Sequence, residues 1–138
     1  RSKDVPVMAD TRVWLGDSMG EMYAYCAAAD VAIIGGSWAK LGGQNPIEAA
    51  AVGCPVIVGP HTFNFSVVAV QLKKKGAAVR ADDIVDAVEE ALEILSNPPR
   101  RQAMGEAGSR FAQSHRGATE RTMDLLTPLL RTSRPQRR

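Results

Sequence analysis

Gly35-Gly36-Ser37 and Gly42-Gly43-Gln44, followed at once by Asn45-Pro46-Ile47-Glu48, have the composition of a loop that receives an anion and leads into a helix. Glycines let a ligand come close to the backbone. A helix start offers unpaired N–H groups and the positive end of the dipole. Glu48, a carboxylate in the same first turn, is placed to accept hydrogen bonds from a neutral part of the ligand, such as a ribose diol. The combination describes a phosphate-bearing, nucleotide-linked ligand. It is neither the dinucleotide pattern GxGxxG nor the Walker pattern GxxxxGK[ST], so neither of those readings applies.

Each of these residues also has a plainer role open to it. Ser37 serves equally as a loop hydroxyl, and Asn45 as a helix cap, a role compatible with ligand contact. Glu48 reads either as the ribose acceptor or as a surface carboxylate stabilised by the helix dipole. His61 follows a strand end, where a general acid or a hydrogen-bonding loop histidine fits. Trp38 suits a stacking contact or an interdomain contact. Lys40 suits a phosphate or carboxylate partner, or a solvated loop. Lys73-Lys74-Lys75 reads as a helix end in water. No His/Asp cluster has metal-ligand spacing.

The elements that must position these groups are strands and helices in alternation. Val13-Trp14-Leu15 reads as a short strand ending at Gly16-Asp17-Ser18, and Ser18 with Glu21 makes a capping-box pattern for a helix running to about Ala29. Val31 to Ile34 reads as a central parallel strand, apolar on both faces. Asn45-Pro46 opens a helix stopped by Gly53. Pro55 to Val58 is the next strand, ended by Gly59-Pro60. A helix from about Asn64 to Lys75 follows, with Val67, Val70 and Gln71 on one side, and then a strand over 77–80. Asp82-Asp83 starts a helix whose apolar positions are Ile84, Val85, Val88, Ala91, Leu92 and Leu95. Asn97-Pro98-Pro99 breaks it, and helices over about 100–115 and 118–130 complete the chain. The fold class is therefore α/β, a Rossmann-like parallel sheet of about four to six strands with helices on both faces. In such folds ligands lie beyond the carboxyl ends of the strands, where Gly16-Asp17-Ser18, the glycine loop and Gly59-Pro60-His61 all fall.

The bulk composition narrows the class further. At 138 residues, with 45% apolar and 23% charged side chains, the chain fits one globular domain over residues 1–130. A net charge of +2 gives no case for nucleic acid, and arginines at 131, 134, 137 and 138 read as a basic, disordered tail over 131–138. Cys26 and Cys54 fit buried thiols in a reducing compartment. Nothing approaches the run of about 18 apolar residues that spans a membrane. The opening Arg-Ser-Lys-Asp carries no signal pattern and reads as a piece of something longer, soluble by itself.

The ordered series GDSMGEM at 16–22, GGS at 35–37, GGQNPIEAAAVGCPVIVGPHTFNF at 42–65 and KKGAAVRADD at 74–83 resembles the C-terminal half of bacterial 3-deoxy-D-manno-octulosonic acid (Kdo) transferases. These are GT-B glycosyltransferases of lipopolysaccharide biosynthesis, and the similarity covers roughly residues 5 to 120. The resemblance implies a CMP-Kdo donor domain in which Met19, Gly20 and Glu21, and then Asn45, Pro46, Ile47 and Glu48, contact CMP. It implies transfer to a lipid A precursor at the cytoplasmic face of the inner membrane, without cofactor or metal. The catalytic base and the membrane anchor belong to an N-terminal domain. A Pro-Arg pair that contributes to donor binding precedes the segment present here, and Pro99-Arg100 stands in the wrong part of the chain. The acceptor would be reached through that domain too, so this chain alone carries no catalytic residue. Within it, N–H donors at Gly36-Ser37 and at the Asn45 helix start would meet charge growing on the departing phosphate. By the residues alone, Glu21 is as well placed for capping as for a ligand. A GT-B donor domain for a UDP-sugar, as in another glycosyltransferase or an epimerase, is the alternative. A receiver-type regulatory domain is disfavoured because Asp17 stands without an acidic cluster around it.

Overall fold

The computed structural model describes residues 8–132. Its helices are α1 (Met22–Ala27), α2 (Ile47–Ala51), α3 (Ser66–Lys74), α4 (Ile84–Ser96), α5 (Pro98–Ser114) and α6 (Ala118–Thr132). Its strands are β1 (Ala32–Ile33), β2 (Val56–Val58) and β3 (Ala78–Arg80). The strands form one parallel sheet in the order β1-β2-β3, with Ile33 beside Ile57 and Ile57 beside Val79. Each crossover contains a helix, as parallel pairing requires. The three residues of β2 are all buried because helices cover both faces of the sheet. Alternation sends Val56 and Val58 into a core with Ile34, Ala49, Ala50, Leu72 and Phe111, and sends Ile57 into an opposite core with Ala87, Ala91, Ile94 and Met104.

The α/β parallel class is the one read from the sequence, but three paired strands are present among the described residues rather than four to six. Val13-Trp14-Leu15 is not part of the sheet ladder, with Val13 87% and Leu15 73% exposed. Among the described residues β1 stands at one end of the ladder, beside β2 alone.

Helix packing departs from the hydropathy pattern in one consistent way. Along α4 the buried residues are Ala87, Ala91 and Ile94, whereas Ile84, Val85, Val88, Leu92 and Leu95 are exposed. Along α3, Ala69 and Leu72 are buried, while Val67 and Val70 are not. Small side chains let the helices approach the sheet closely. The tightest approach is α5 on α2. A Cβ on Gly105 would overlap the Gly53 carbonyl oxygen, and one on Gly108 would come within 2.9 Å of the Ala50 oxygen.

Helix ends follow elementary capping chemistry. The Asp86 N–H donates to the Asp83 carboxylate at 2.9 Å, and the Asp82 N–H donates to the Asp86 carboxylate at 2.8 Å. Asn97 accepts from the Arg100 N–H at 3.1 Å, so the prolines that end α4 also begin α5. Arg100 then ties the two helices together, lying 2.9 Å from Glu90 and 2.7 Å from Glu93. Ser18 does not cap α1: its hydroxyl bonds the Glu21 carboxylate, and α1 starts after Glu21 with no side-chain cap. Helix α6 continues past residue 130 to Thr132, and residues 133–138 of the expected tail lie outside the described residues.

Cys54 is 3% exposed, and burial pushes its thiol up from 9.0 to about 11, with Cys26 and Asp30 adding to the rise. A raised thiol pKa favours the protonated folded state, so this contribution is complete below pH 9.0 and is lost as pH rises towards about 11. Urea midpoints should therefore fall across that window. A Cys54→Ala variant should lose this pH dependence, and an unchanged alkaline slope in that variant would show that another group controls it.

Candidate functional site

Because the strands are parallel, Gly35, Gly59 and Asp82 leave the sheet at the same edge, and α2 begins there. The loop over 35–44 is folded back on itself. The Gly43 N–H donates to the Gly36 oxygen and the Gln44 N–H to the Gly35 oxygen, each at 3.1 Å. It is then fastened to the segment after β2. The His61 N–H donates to the Ser37 oxygen at 2.8 Å, and the Asn64 side-chain amide donates to the Leu41 oxygen at 3.0 Å. Two glycines permit this closeness. Gly42 has φ +87° and no room for a Cβ against Asn64, and a Cβ on Gly59 would lie 2.7 Å from the Trp38 ring.

Ser37 is fully buried, and its hydroxyl is used inside the protein. It donates to the Ile34 oxygen at 2.6 Å and accepts from the Gly59 N–H at 2.8 Å, joining the ends of β1 and β2. The Ser37 side chain is thus a strut between two strand ends, the plainer of the roles open to its hydroxyl. Pro46 is fully buried as well, so its ring shapes the turn into α2 instead of facing the edge. Gly36 lies partly open at the loop's turn with φ +73°.

Asn45 makes both connections its type allows. Its Oδ1 accepts from the Ile47 N–H at 3.0 Å, and its Nδ2 donates to the Glu48 carboxylate at 3.3 Å. Glu48, half-buried with Ile47, is thereby oriented at the first turn of α2. Its charge is felt at Cys26, whose thiol is pushed up by burial first and by the Glu48 carboxylate second. Cys26 lies towards the end of α1, which packs on α2. Met19 stands 96% exposed, and Gly20 is exposed with φ +80°. The Glu21 carboxylate accepts from Ser18 and, at 3.4 Å, from the Tyr25 hydroxyl.

One further side chain differs from expectation. Trp38 packs against the core that contains Ile57 and Ala87, with its indole N–H buried and lacking an acceptor among the described residues, so it is neither an open stacking platform nor a free surface. Phe111 belongs to the core. Lys40 is exposed, as a solvated loop lysine is. The sequence reading missed Asn64 and Gly59 as loop fasteners. Their signal was the close spacing of Gly59, His61 and Asn64 directly after a strand end. Among the described residues no cluster of three His, Cys, Asp or Glu side chains converges, and no helix is long and apolar enough to cross a membrane.

Comparisons with known proteins agree with this architecture. The 3-deoxy-D-manno-octulosonic acid transferase of Bordetella pertussis is 59% identical over 114 residues, which are 83% of this chain and 27% of the relative. The enzyme of the same name from Haemophilus influenzae is 42% identical over 122 residues, 88% of this chain and 29% of that protein. The chain thus spans less than a third of the length of these curated relatives. Among solved structures, the C-terminal CMP-Kdo binding domain of WaaA from Acinetobacter baumannii superposes with a TM-score of 0.73 at 30% identity. That match covers 79% of this chain and 57% of the solved one. The profile of the family described as Glycosyl transferases group 1 matches residues 3–111, and with this match the chain belongs to the group 1 glycosyl transferases.

Proposed function

We propose that this chain is the donor-binding part of a Kdo transferase and holds CMP-Kdo at the carboxyl edge of its sheet. The observation that carries the reading is the oriented Glu48 carboxylate, held by Asn45 beside a fastened glycine loop, in a chain similar to a CMP-Kdo binding domain. Glu48 accepts from the ribose hydroxyls of CMP. The backbone around Gly36 and the start of α2 face the phosphate. Met19, Gly20 and Glu21 close the same ligand from the start of α1, and Ile47 flanks it. Ser37 and Pro46 act from behind by holding the loop and the turn.

In the whole protein the reaction is an inverting displacement at the anomeric carbon of Kdo. The acceptor hydroxyl of a lipid A precursor attacks, its proton passes to a carboxylate of an N-terminal domain, and CMP leaves. This chain stabilises the leaving phosphate with preorganised N–H donors. The base, the acceptor site and the attachment to the inner membrane lie in the N-terminal part, so the 138-residue chain binds nucleotide weakly and transfers nothing.

Glu48→Gln should weaken CMP by about 10- to 100-fold, since hydrogen bonds to a charged acceptor are worth about 1.5–3 kcal/mol. Inorganic phosphate should be affected less than about threefold by the same change. Calorimetric titration with CMP, UDP and phosphate reads both effects. Equal weakening of CMP and phosphate would remove Glu48 from the ribose, and tighter binding of UDP than of CMP would move the chain to the UDP-sugar enzymes. Kdo transfer by the isolated chain would place the base within these residues and overturn the division of labour.

A further inference from the structure

The three lysines of the run that ends α3 do not share the same surroundings. A Schellman turn closes the helix: Gly76, at φ +74°, donates its N–H to the Lys73 oxygen at 3.0 Å, and Ala77 donates to the Leu72 oxygen at 2.9 Å. The turn feeds straight into β3 and leaves Lys73 and Lys75 beside a cavity of about 610 Å³ that α5 also lines. Lys74 does not line it. From α5 come Arg100 and Arg110, with Met104 and Ala107 between them at helical spacing, and Ala78 comes from β3. A second cavity of about 380 Å³ adjoins the first, shares Lys75, Ala107 and Arg110 with it, and adds Phe111 and Ser114.

Among the described residues four cations and no carboxylate line the larger cavity. Two of the four are engaged inside the protein. Arg100 is held by Glu90 and Glu93 at 2.9 and 2.7 Å, and Arg110 meets Glu106 at 3.4 Å in an exposed pair. Exposed pairs of this kind hold weakly, so Arg110 can turn to another anion. Lys73 and Lys75 have no carboxylate within ion-pair distance among the described residues. The α3 dipole accounts for cations at a helix end. It does not account for a concave, acid-free space between them and Arg110 with apolar side chains along it. Its volume lies in the range of about 300–1,000 Å³ usual for small-ligand sites.

We propose that this cavity binds a phosphate group carried on a small organic molecule or a lipid. The phosphate lies between Lys73, Lys75 and Arg110, and the carbon of its ester lies against Met104 and Ala107. The lysines supply mobile point charges and Arg110 a planar fork that can hold two oxygens. Arg100, fixed by its two carboxylates, forms a wall of the site. The cavity opens at the amino end of β3, whereas Gly35, Gly59 and Asp82 leave the sheet at its carboxyl edge. The site is therefore separate from the donor edge and does not depend on which nucleotide that edge takes. A free phosphate ester and the headgroup of an anionic phospholipid present the same chemistry to it.

The 138-residue chain is titrated with glycerol 3-phosphate, followed by amide shifts, and with vesicles of phosphatidylcholine with and without phosphatidylglycerol, followed by co-sedimentation. Glycerol 3-phosphate should shift Gly76, Ala78 and Ala107. Lys73→Gln and Lys75→Gln should each weaken that response about fivefold, as should Arg110→Gln. Lys74→Gln removes the same charge beside them and should change it less than about twofold. Any shift at Gly36, on the opposite edge, should be the same in all four variants. These shifts would identify a free ester as a ligand. Binding to the phosphatidylglycerol vesicles alone, weakened by Lys75→Gln and not by Lys74→Gln, would identify the headgroup. The arginines at 131, 134, 137 and 138 are present in every variant, so their attraction to vesicles cancels. Equal effects of Lys74→Gln and Lys75→Gln would reduce the binding to general charge and overturn the proposal. So would a chain that neither responds to glycerol 3-phosphate at Gly76 and Ala107 nor prefers the anionic vesicles.

Discussion

Ser37→Ala should destabilise the domain by about 2–6 kcal/mol, because it leaves two buried backbone groups, the Ile34 oxygen and the Gly59 N–H, without partners at about 1–3 kcal/mol each. Water cannot replace the hydroxyl at a fully buried position. The variant should lower the urea midpoint and weaken CMP through a loosened loop. A Ser37→Ala variant that melts normally and loses only CMP affinity would mean that the hydroxyl belongs to the ligand after all.

Gly105→Ala should cost about 2 kcal/mol or more even though alanine is the better helix former by about 1 kcal/mol. The new methyl would overlap the Gly53 oxygen, so α5 must withdraw from α2 along the seam that includes Ala50 and Ala107. Gly108→Ala, with its nearest atom at 2.9 Å, should cost less. Thermal melts of the two variants give the order directly. A Gly105→Ala protein at least as stable as the parent would show that the seam is loose in solution and that helix propensity decides the outcome.

The alternation of apolar runs with glycine and proline breaks made the layered fold legible. Residues such as Ile57, Leu72 and Ile94 sit inside as strong apolar positions do. Hydropathy failed where a helix packs closely on a neighbouring element. There alanine and glycine are the buried residues, as at Ala87, Ala91, Gly105 and Gly108, while Val85, Val88 and Leu92 stay outside. A scale that rewards size assigns such a helix the wrong face. Val13–Leu15 differed for another reason: strand propensity is local, and it does not decide which segments join the ladder.

At the candidate site, Asn45 and Glu48 were readable because cap chemistry and carboxylate position are local. Ser37 was not. Its role depends on Gly59, which is 22 residues away in sequence and adjacent in space. Sequence type indicated the strand-end loops, and only coordinates distinguished a buried support such as Ser37 from side chains left open.

The loop over 35–44 is already closed before any nucleotide arrives, through its internal ladder and its bonds to His61 and Asn64. Encounter and final complex therefore share one loop geometry, and association needs no ordering step. Observed rates should rise linearly with nucleotide concentration and show no plateau. Affinity differences among nucleotides will then appear in how long each one stays.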